Sequence, residues 1–205
     1  GSKYYGRHLG PFKTPAKESD SRHMPPNFYY EQEDFLIDFQ MGKNWSWAVL
    51  RPEAVCGFAV GNPMNLIMCF GTYAAISKEL GMPLKYPGDL RGFEAINQVT
   101  DSGLLARMTL WSATSPNAAN EIFNITNGDG FRYVNVWPDW AAAFGMEIGM
   151  PQRIVSAEVM PDKAPVWDRI VEKHGLVKLR YEQTAGWPYF DFNMDTSWDV
   201  LMSDA

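Results

Sequence analysis

The chain has 205 residues, 46% hydrophobic and 14% aromatic, which is ample for a buried core and too apolar for a disordered segment. Its net charge of −6 is modest and its Lys and Arg residues are scattered, so there is no electrostatic footprint for a phosphate polymer and nucleic acid is not an expected partner. The two cysteines, Cys56 and Cys69, lie in apolar stretches without CxxC spacing and read as buried reduced thiols; the longest apolar run, Leu66 to Ile76, is too short to span a bilayer, which makes the cytoplasm the expected compartment.

Residues 6 to 26, rich in Gly, Pro, Lys and Ser and containing Pro25-Pro26, read as a loop. Asn27 is then a suitable helix N-cap, with Glu31, Glu33 and Asp34 early enough to complement the helix dipole, and the pattern predicts a helix over about residues 28 to 41, ending near Gly42. The short apolar run Trp47-Ala48-Val49-Leu50, bounded by Arg51-Pro52, suits a buried parallel strand that ends at a functional edge. Apolar residues at 66, 67, 70, 73, 76 and 80 have helical period, with Gly81 as the stop. Leu84-Lys85-Tyr86 before Pro87-Gly88 reads as a strand, and Asp101 as the cap of a helix running to about Thr114. Ile122 to Ile125 reads as a strand entering the turn Asn127-Gly128-Asp129-Gly130. Trp137 to Phe144 before Gly145, and Lys163 to His174 before Gly175, are further helical stretches. Alternating strands and helices define an α/β protein whose active edge lies beyond the strand C-termini.

Pattern reading alone finds no cofactor cradle. A dinucleotide fingerprint needs Gly-x-Gly-x-x-Gly after a strand, and Gly57 with Gly61, or Gly128 with Gly130, have the wrong spacing. The P-loop and the Gly-x-Ser-x-Gly elbow are absent, and His8, His23 and His174 lack ligand spacing, so no metal site is expected. The sequons at Asn44 and Asn124 are too short to imply secretion. By residue type, Met64, Trp137 and Trp140 read as core.

Longer blocks carry more. Lys3-Tyr4-Tyr5, Leu9-Gly10-Pro11-Phe12, the run Asn27-Phe28-Tyr29-Tyr30-Glu31-Gln32-Glu33-Asp34, Trp45-Ser46-Trp47, Arg51-Pro52, Gly57-Phe58, Pro63-Met64-Asn65-Leu66, Tyr73-Ala74-Ala75-Ile76, the run from Asn120 to Asp129 and Pro165-Val166-Trp167 occur in order across most of the chain. With them the chain resembles the progesterone 5β-reductase and iridoid synthase family of short-chain dehydrogenases/reductases, especially its bacterial members. The resemblance implies the C-terminal part of an NAD(P)-binding Rossmann-type fold. In it, residues 1–60 end the NADP-binding domain and carry the catalytic residues, and 61–205 form a smaller mixed α/β substrate-binding region interleaved with the last Rossmann elements.

The same resemblance carries the family's catalytic pair onto Tyr29 and Lys3. The commoner Tyr-x-x-x-Lys spacing is absent, because Glu33 and Asp34 stand four residues after Tyr29 and Tyr30. It assigns cofactor contacts to Lys3, Tyr29, Pro52 and Val55, places the Arg51 to Gly57 stretch beneath the nicotinamide, lines the substrate pocket with Phe12 and Met64, and calls for no metal. NADP(H) is the implied cofactor, with NAD(H) the alternative. The implied partner is a small enone or carbonyl compound, with neither nucleic acid nor membrane, and the implied assembly is a homodimer. A phenol with a pKa of about 10 beside an ammonium group is a good donor to a carbonyl oxygen gaining charge. The other readings are a sugar-nucleotide-type epimerase or dehydratase using NAD(P), and an inactive interaction protein with the same fold. Gly6-Arg7-His8 is an insertion relative to the plant enzymes, which bears on where Phe12 falls. Family members begin with a strand and a glycine-rich turn ahead of the position of Gly1 and continue beyond that of Ala205, so these residues alone are expected to bind cofactor feebly.

Overall fold

The structure, a computed structural model, describes residues 1–24, 26–59, 61–62 and 64–203. Pro25 of the diproline pair, Val60, Pro63 of the Pro-Met-Asn-Leu block, Asp204 and Ala205 lie outside the described residues. In chain order the elements are α1 (Phe28–Gln40), β1 (Ala48–Pro52), β2 (Val55–Cys56), α2 (Leu66–Glu79), α3 (Leu90–Glu94), β3 (Ile96–Asn97), β4 (Thr100–Asp101), α4 (Ser102–Thr114), β5 (Glu121–Ile125), β6 (Phe131–Arg132), α5 (Tyr133–Phe144), α6 (Ser156–Val159), α7 (Ala164–His174) and α8 (Trp187–Met194). They form two compact units: Gly1–Val55 with Asn97–Gly130 and Asp199–Ala205, and Cys56–Ile96 with Phe131–Trp198.

In the first unit β1 and β5 pair in parallel, from Ala48 opposite Glu121 to Pro52 opposite Ile125. Parallel strands need a crossover between them, and α4 supplies the last part of it, resting Trp111 edge-on against Phe123 of β5 at 5.3 Å. The caps read from the sequence operate as expected. Asn27 accepts from the Tyr29 amide to start α1, and Asp101 accepts from the Leu104 amide at 2.8 Å to start α4. Around the turn Ser2–Tyr5, the side chains of Tyr4, Tyr5, Ala16, Tyr30 and Met202 form a small core, with Phe12 and Tyr29 packed on it partly buried.

The second unit has an aromatic interior. Phe70 of α2 meets Trp137 and Trp140 of α5 and Phe190 of α8, while Tyr86 stacks near Phe93 and Tyr133. Trp137 is core, as its type suggests, and its indole N–H donates to Leu84 O. The Leu84–Tyr86 segment is extended but forms a single parallel bridge, Leu84 to Ile148, where the sequence predicts a strand. Leu84 O accepts from both the Gly149 backbone amide and the Trp137 indole, Lys85 O from the Tyr73 hydroxyl at 3.0 Å, and Tyr86 O from the Gln152 backbone amide at 2.9 Å. Helix α5 begins at Tyr133, four residues before its predicted start, and continues through Pro138. Gly145 and Gly175 end α5 and α7 in the left-handed conformation, at φ 59 and 61.

Two buried assignments need correction. Cys69 is buried, but Cys56 is half-exposed at the end of the two-residue β2. Met64 is 67% exposed, because it sits just before Asn65, the residue that caps α2 and turns the chain. Among the described residues no helix is long and apolar enough to cross a membrane.

Candidate active site

The residues Gly1 to Tyr5 lie against the C-terminal end of β1. A Cβ on Gly1 would come within 2.6 Å of Pro52 O and 2.8 Å of Arg51 O, so only glycine allows this approach. The turn is then clamped from both sides of Lys3 by one buried carboxylate. Glu53 Oε2 accepts from the Ser2 amide at 2.9 Å, and Glu53 Oε1 from Arg7 Nη1 at 2.6 Å, with both ionic side chains 4% exposed. Burial alone would push the Glu53 carboxyl up, but the Arg7 guanidinium and the Ser2 N–H hold it below the ordinary range. Lys3 itself points from this anchored turn with an exposed side chain.

A second buried ion, Arg51 of β1, packs its guanidinium 3.4 Å from the centre of the Tyr4 ring, donates to Tyr5 Oη at 2.9 Å and pairs with Glu33 of α1 at 3.1 Å. Tyr5 in turn donates to Asn124 Oδ1 at 2.7 Å. Asn124, the asparagine of the second sequon, is 5% exposed and spends its amide on Ala16 O and Ser203 O, so it is an interior strut.

This network decides between the tyrosines. The first unit contains Tyr4, Tyr5, Tyr29 and Tyr30, and three of their hydroxyls are committed: Tyr4 to Arg22, Tyr5 to Arg51 and Asn124, and Tyr30 to Tyr4 O at 2.6 Å while accepting from the His23 amide. The hydroxyl of Tyr29 has no hydrogen-bond partner among the described residues, and its half-buried ring rests on the small core and against Phe28 at 4.0 Å. Tyr30 is a structural residue and Tyr29 is the free phenol.

Asn27 ties the two candidate residues together. Its Oδ1 accepts from the Tyr29 amide at 3.1 Å, and its Nδ2 donates to Lys3 O at 3.1 Å. The residue that starts α1 therefore also fixes the Lys3 turn to it, a role that a capping pattern cannot reveal. The structure thus brings the Lys3 turn, Tyr29, Phe12 and the Pro52 end of β1 into one unit. Val55 lies in that unit too, three residues further on, half-buried at the start of β2. Met64 belongs to the other unit. Sequence reasoning missed Glu53, Arg7 and the second role of Asn27. The only trace of the first two was an arginine four residues after Lys3 and an acidic residue directly after Arg51-Pro52.

A parallel β-pair with a crossover helix, with the Lys3 turn packed at the C-terminal end of β1, is the arrangement of a Rossmann-type α/β protein. Residues 1–202 match the PRISE-like Rossmann-fold domain, and the chain belongs to that family. It is 35% identical over 223 residues to the short chain dehydrogenase gsfE of Penicillium aethiopicum, covering 99% of this chain and 59% of that protein. It is 37% identical to the (S)-8-oxocitronellyl enol synthase of Antirrhinum majus, covering 90% of this chain and 51% of that protein. The chain therefore spans about half to three-fifths of the curated relatives it matches. Among solved structures, RMD from Pseudomonas aeruginosa complexed with NADPH superposes with a TM-score of 0.55 at 15% identity, over 95% of this chain and 64% of that one, and supports the fold alone.

The residues present fit the nicotinamide and ribose end of a dinucleotide in kind: a phenol without a hydrogen-bond partner among the described residues and an exposed lysine whose turn packs against the end of β1. They include no glycine-rich turn for the pyrophosphate.

Proposed function

We propose that this chain carries the catalytic residues of an NADP-dependent reductase that transfers hydride to a conjugated enone or a carbonyl compound. The observation that carries the reading is the Tyr29 hydroxyl, which alone among the four phenols of its unit has no hydrogen-bond partner among the described residues, on a helix pinned to the Lys3 turn through Asn27. A reduced nicotinamide, when bound, supplies the hydride. Tyr29 donates a hydrogen bond to the substrate oxygen as negative charge builds there, and Lys3, positioned by the Glu53 clamp, stabilises that charge and holds the ribose. Pro52 and Val55 would help hold the cofactor in this reading. Phe12 and Met64 are the apolar substrate-facing residues of this reading. The preference for NADP over NAD and the enone over a simple carbonyl follow from the family likeness and form part of the proposal.

The test is NADPH oxidation by the full-length protein against a panel of small enones and aldehydes. Tyr29→Phe should lower kcat by roughly a hundredfold or more, as expected for loss of one donor to a developing oxyanion. Tyr30→Phe should leave kcat within a few-fold and cost stability instead. Turnover undiminished in Tyr29→Phe rules the reading out.

A further inference from the structure

Beside the Asn27 bridge stands His23, and its hydrogen-bond partners select one tautomer of its ring. Lys3 O can only accept, so the Asn27 atom 3.1 Å from it is the amide nitrogen; the Tyr29 amide can only donate, so the Asn27 atom facing it is the oxygen. The same Asn27 nitrogen lies 2.9 Å from His23 Nε2, which must therefore be a bare acceptor. On the other side of the ring, Nδ1 lies 2.8 Å from Met24 O, which requires a proton on Nδ1. The backbone of the same residue is fixed as well, its amide donating to Tyr30 Oη at 3.0 Å.

We infer that His23 is a positioning residue for the Lys3–Tyr29 pair, acting through Asn27 only while its imidazole is neutral in the Nδ1–H form. This rests on the catalytic reading proposed above. A proton added at Nε2 would face the Asn27 amide hydrogens, donor against donor. Relieving that contact by turning the Asn27 amide over would present its oxygen to Lys3 O and its nitrogen to the Tyr29 N–H, so both bonds of the bridge would be lost together. The Lys3 turn and the first turn of α1 would then be uncoupled at their shared residue.

Among the described residues the groups around the ring are few. His8 of the inserted tripeptide lies edge-on at 5.6 Å, and the Tyr30 ring of α1 at 5.2 Å. Arg22, the preceding residue, sits 4.8 Å from the centre of the Tyr30 ring and pairs with Asp34 and Glu33 of α1. Lys3 reaches the cluster through its carbonyl. Gly6 packs against the ring, where a Cβ would approach His23 Cδ2 to 3.3 Å.

The first measurement is side-chain 15N NMR of the histidines, of which the chain has three. His23 should be the neutral Nδ1–H tautomer at pH 8 and convert to the cation on acidification; an Nε2–H tautomer or a cation at pH 8 overturns the inference. The second is the pH profile of kcat for the full-length protein. Wild type should lose turnover on the acid side in step with His23 protonation. His23→Gln, which offers Asn27 a carbonyl acceptor and cannot gain a proton, should keep kcat within about threefold and lose that acid limb, whereas His23→Leu should lower kcat about tenfold at all pH values for want of one hydrogen bond. An acid limb unchanged in His23→Gln, with Tyr29→Phe inactive, sinks the inference alone. Turnover surviving in Tyr29→Phe sinks the catalytic reading and this inference with it.

Discussion

Two adjacent tyrosines, Tyr29 and Tyr30, show how burial sorts chemically identical side chains. Tyr30 points inward and its hydroxyl is consumed by Tyr4 O and the His23 amide, so Tyr30→Phe should destabilise the protein by about 1–3 kcal/mol, the cost of leaving buried polar groups unpaired, measured by denaturant unfolding. Tyr29 is turned half out, its hydroxyl uncommitted. The two cysteines divide in the same way. Burial pushes the Cys69 thiol up to about 11, while Cys56 is half-exposed. An alkylating reagent at pH 8 should therefore modify Cys56 and spare Cys69 until the chain is unfolded, with mass spectrometry after proteolysis as the readout; prompt labelling of Cys69 in the folded protein contradicts this.

The helices that matter most were readable from their ends. Asn27 and Asp101, read as caps, each accept from a first-turn amide, and in the structure Asn65 does the same ahead of α2. Asp101→Ala should cost about 0.5–2 kcal/mol, read as a lowered unfolding midpoint with an unchanged denaturant slope. Helix α8 was not anticipated. Its residues Phe190 and Met194 are fully buried, and its C-terminal end lies so near Gly88 that a Cβ there would stand 2.2 Å from Met194 O. Nothing in the local pattern around Trp187 records that approach, because it is made by a glycine about a hundred residues earlier. The Leu84–Tyr86 segment did not form the predicted strand for a related reason: its alternation is real and the Gly149 and Gln152 backbone amides still donate to Leu84 O and Tyr86 O, but the Trp137 indole shares Leu84 O and the Tyr73 hydroxyl takes Lys85 O.

The interior of the first unit is unusually ionic, and its energetics set a pH dependence for the fold. Glu53 is paired with Arg7 and the Ser2 amide and its carboxyl is held below the ordinary 4.5. A carboxyl depressed in the folded state stabilises fully above its unfolded value, and that contribution is lost as pH falls through the folded value. Stability from this group should thus be flat from neutral pH down to about pH 5 and fall in acid below roughly pH 4. Glu53→Gln should remove about 3–5 kcal/mol at pH 7, since it strands the Arg7 guanidinium in a buried site, and should flatten the acid decline. A variant as stable as wild type at pH 7 would show that the clamp is not holding the Lys3 turn.

Taken alone, the sequence determined the α/β class, the starts of α1, α2, α4 and α7, the β1 and β5 strands and, through ordered motif blocks, the family and its Tyr29 and Lys3 candidates. These are legible because caps, hydrophobic period and motif spacing are local or collinear signals. Only the tertiary structure decided which of two neighbouring phenols stays free, that Asn27 joins Tyr29 to the Lys3 turn, and that Arg7 and Glu53 meet beneath it. Those facts depend on hydrogen-bond partners brought from distant parts of the chain, and a donor's commitment is a property of its neighbours in space.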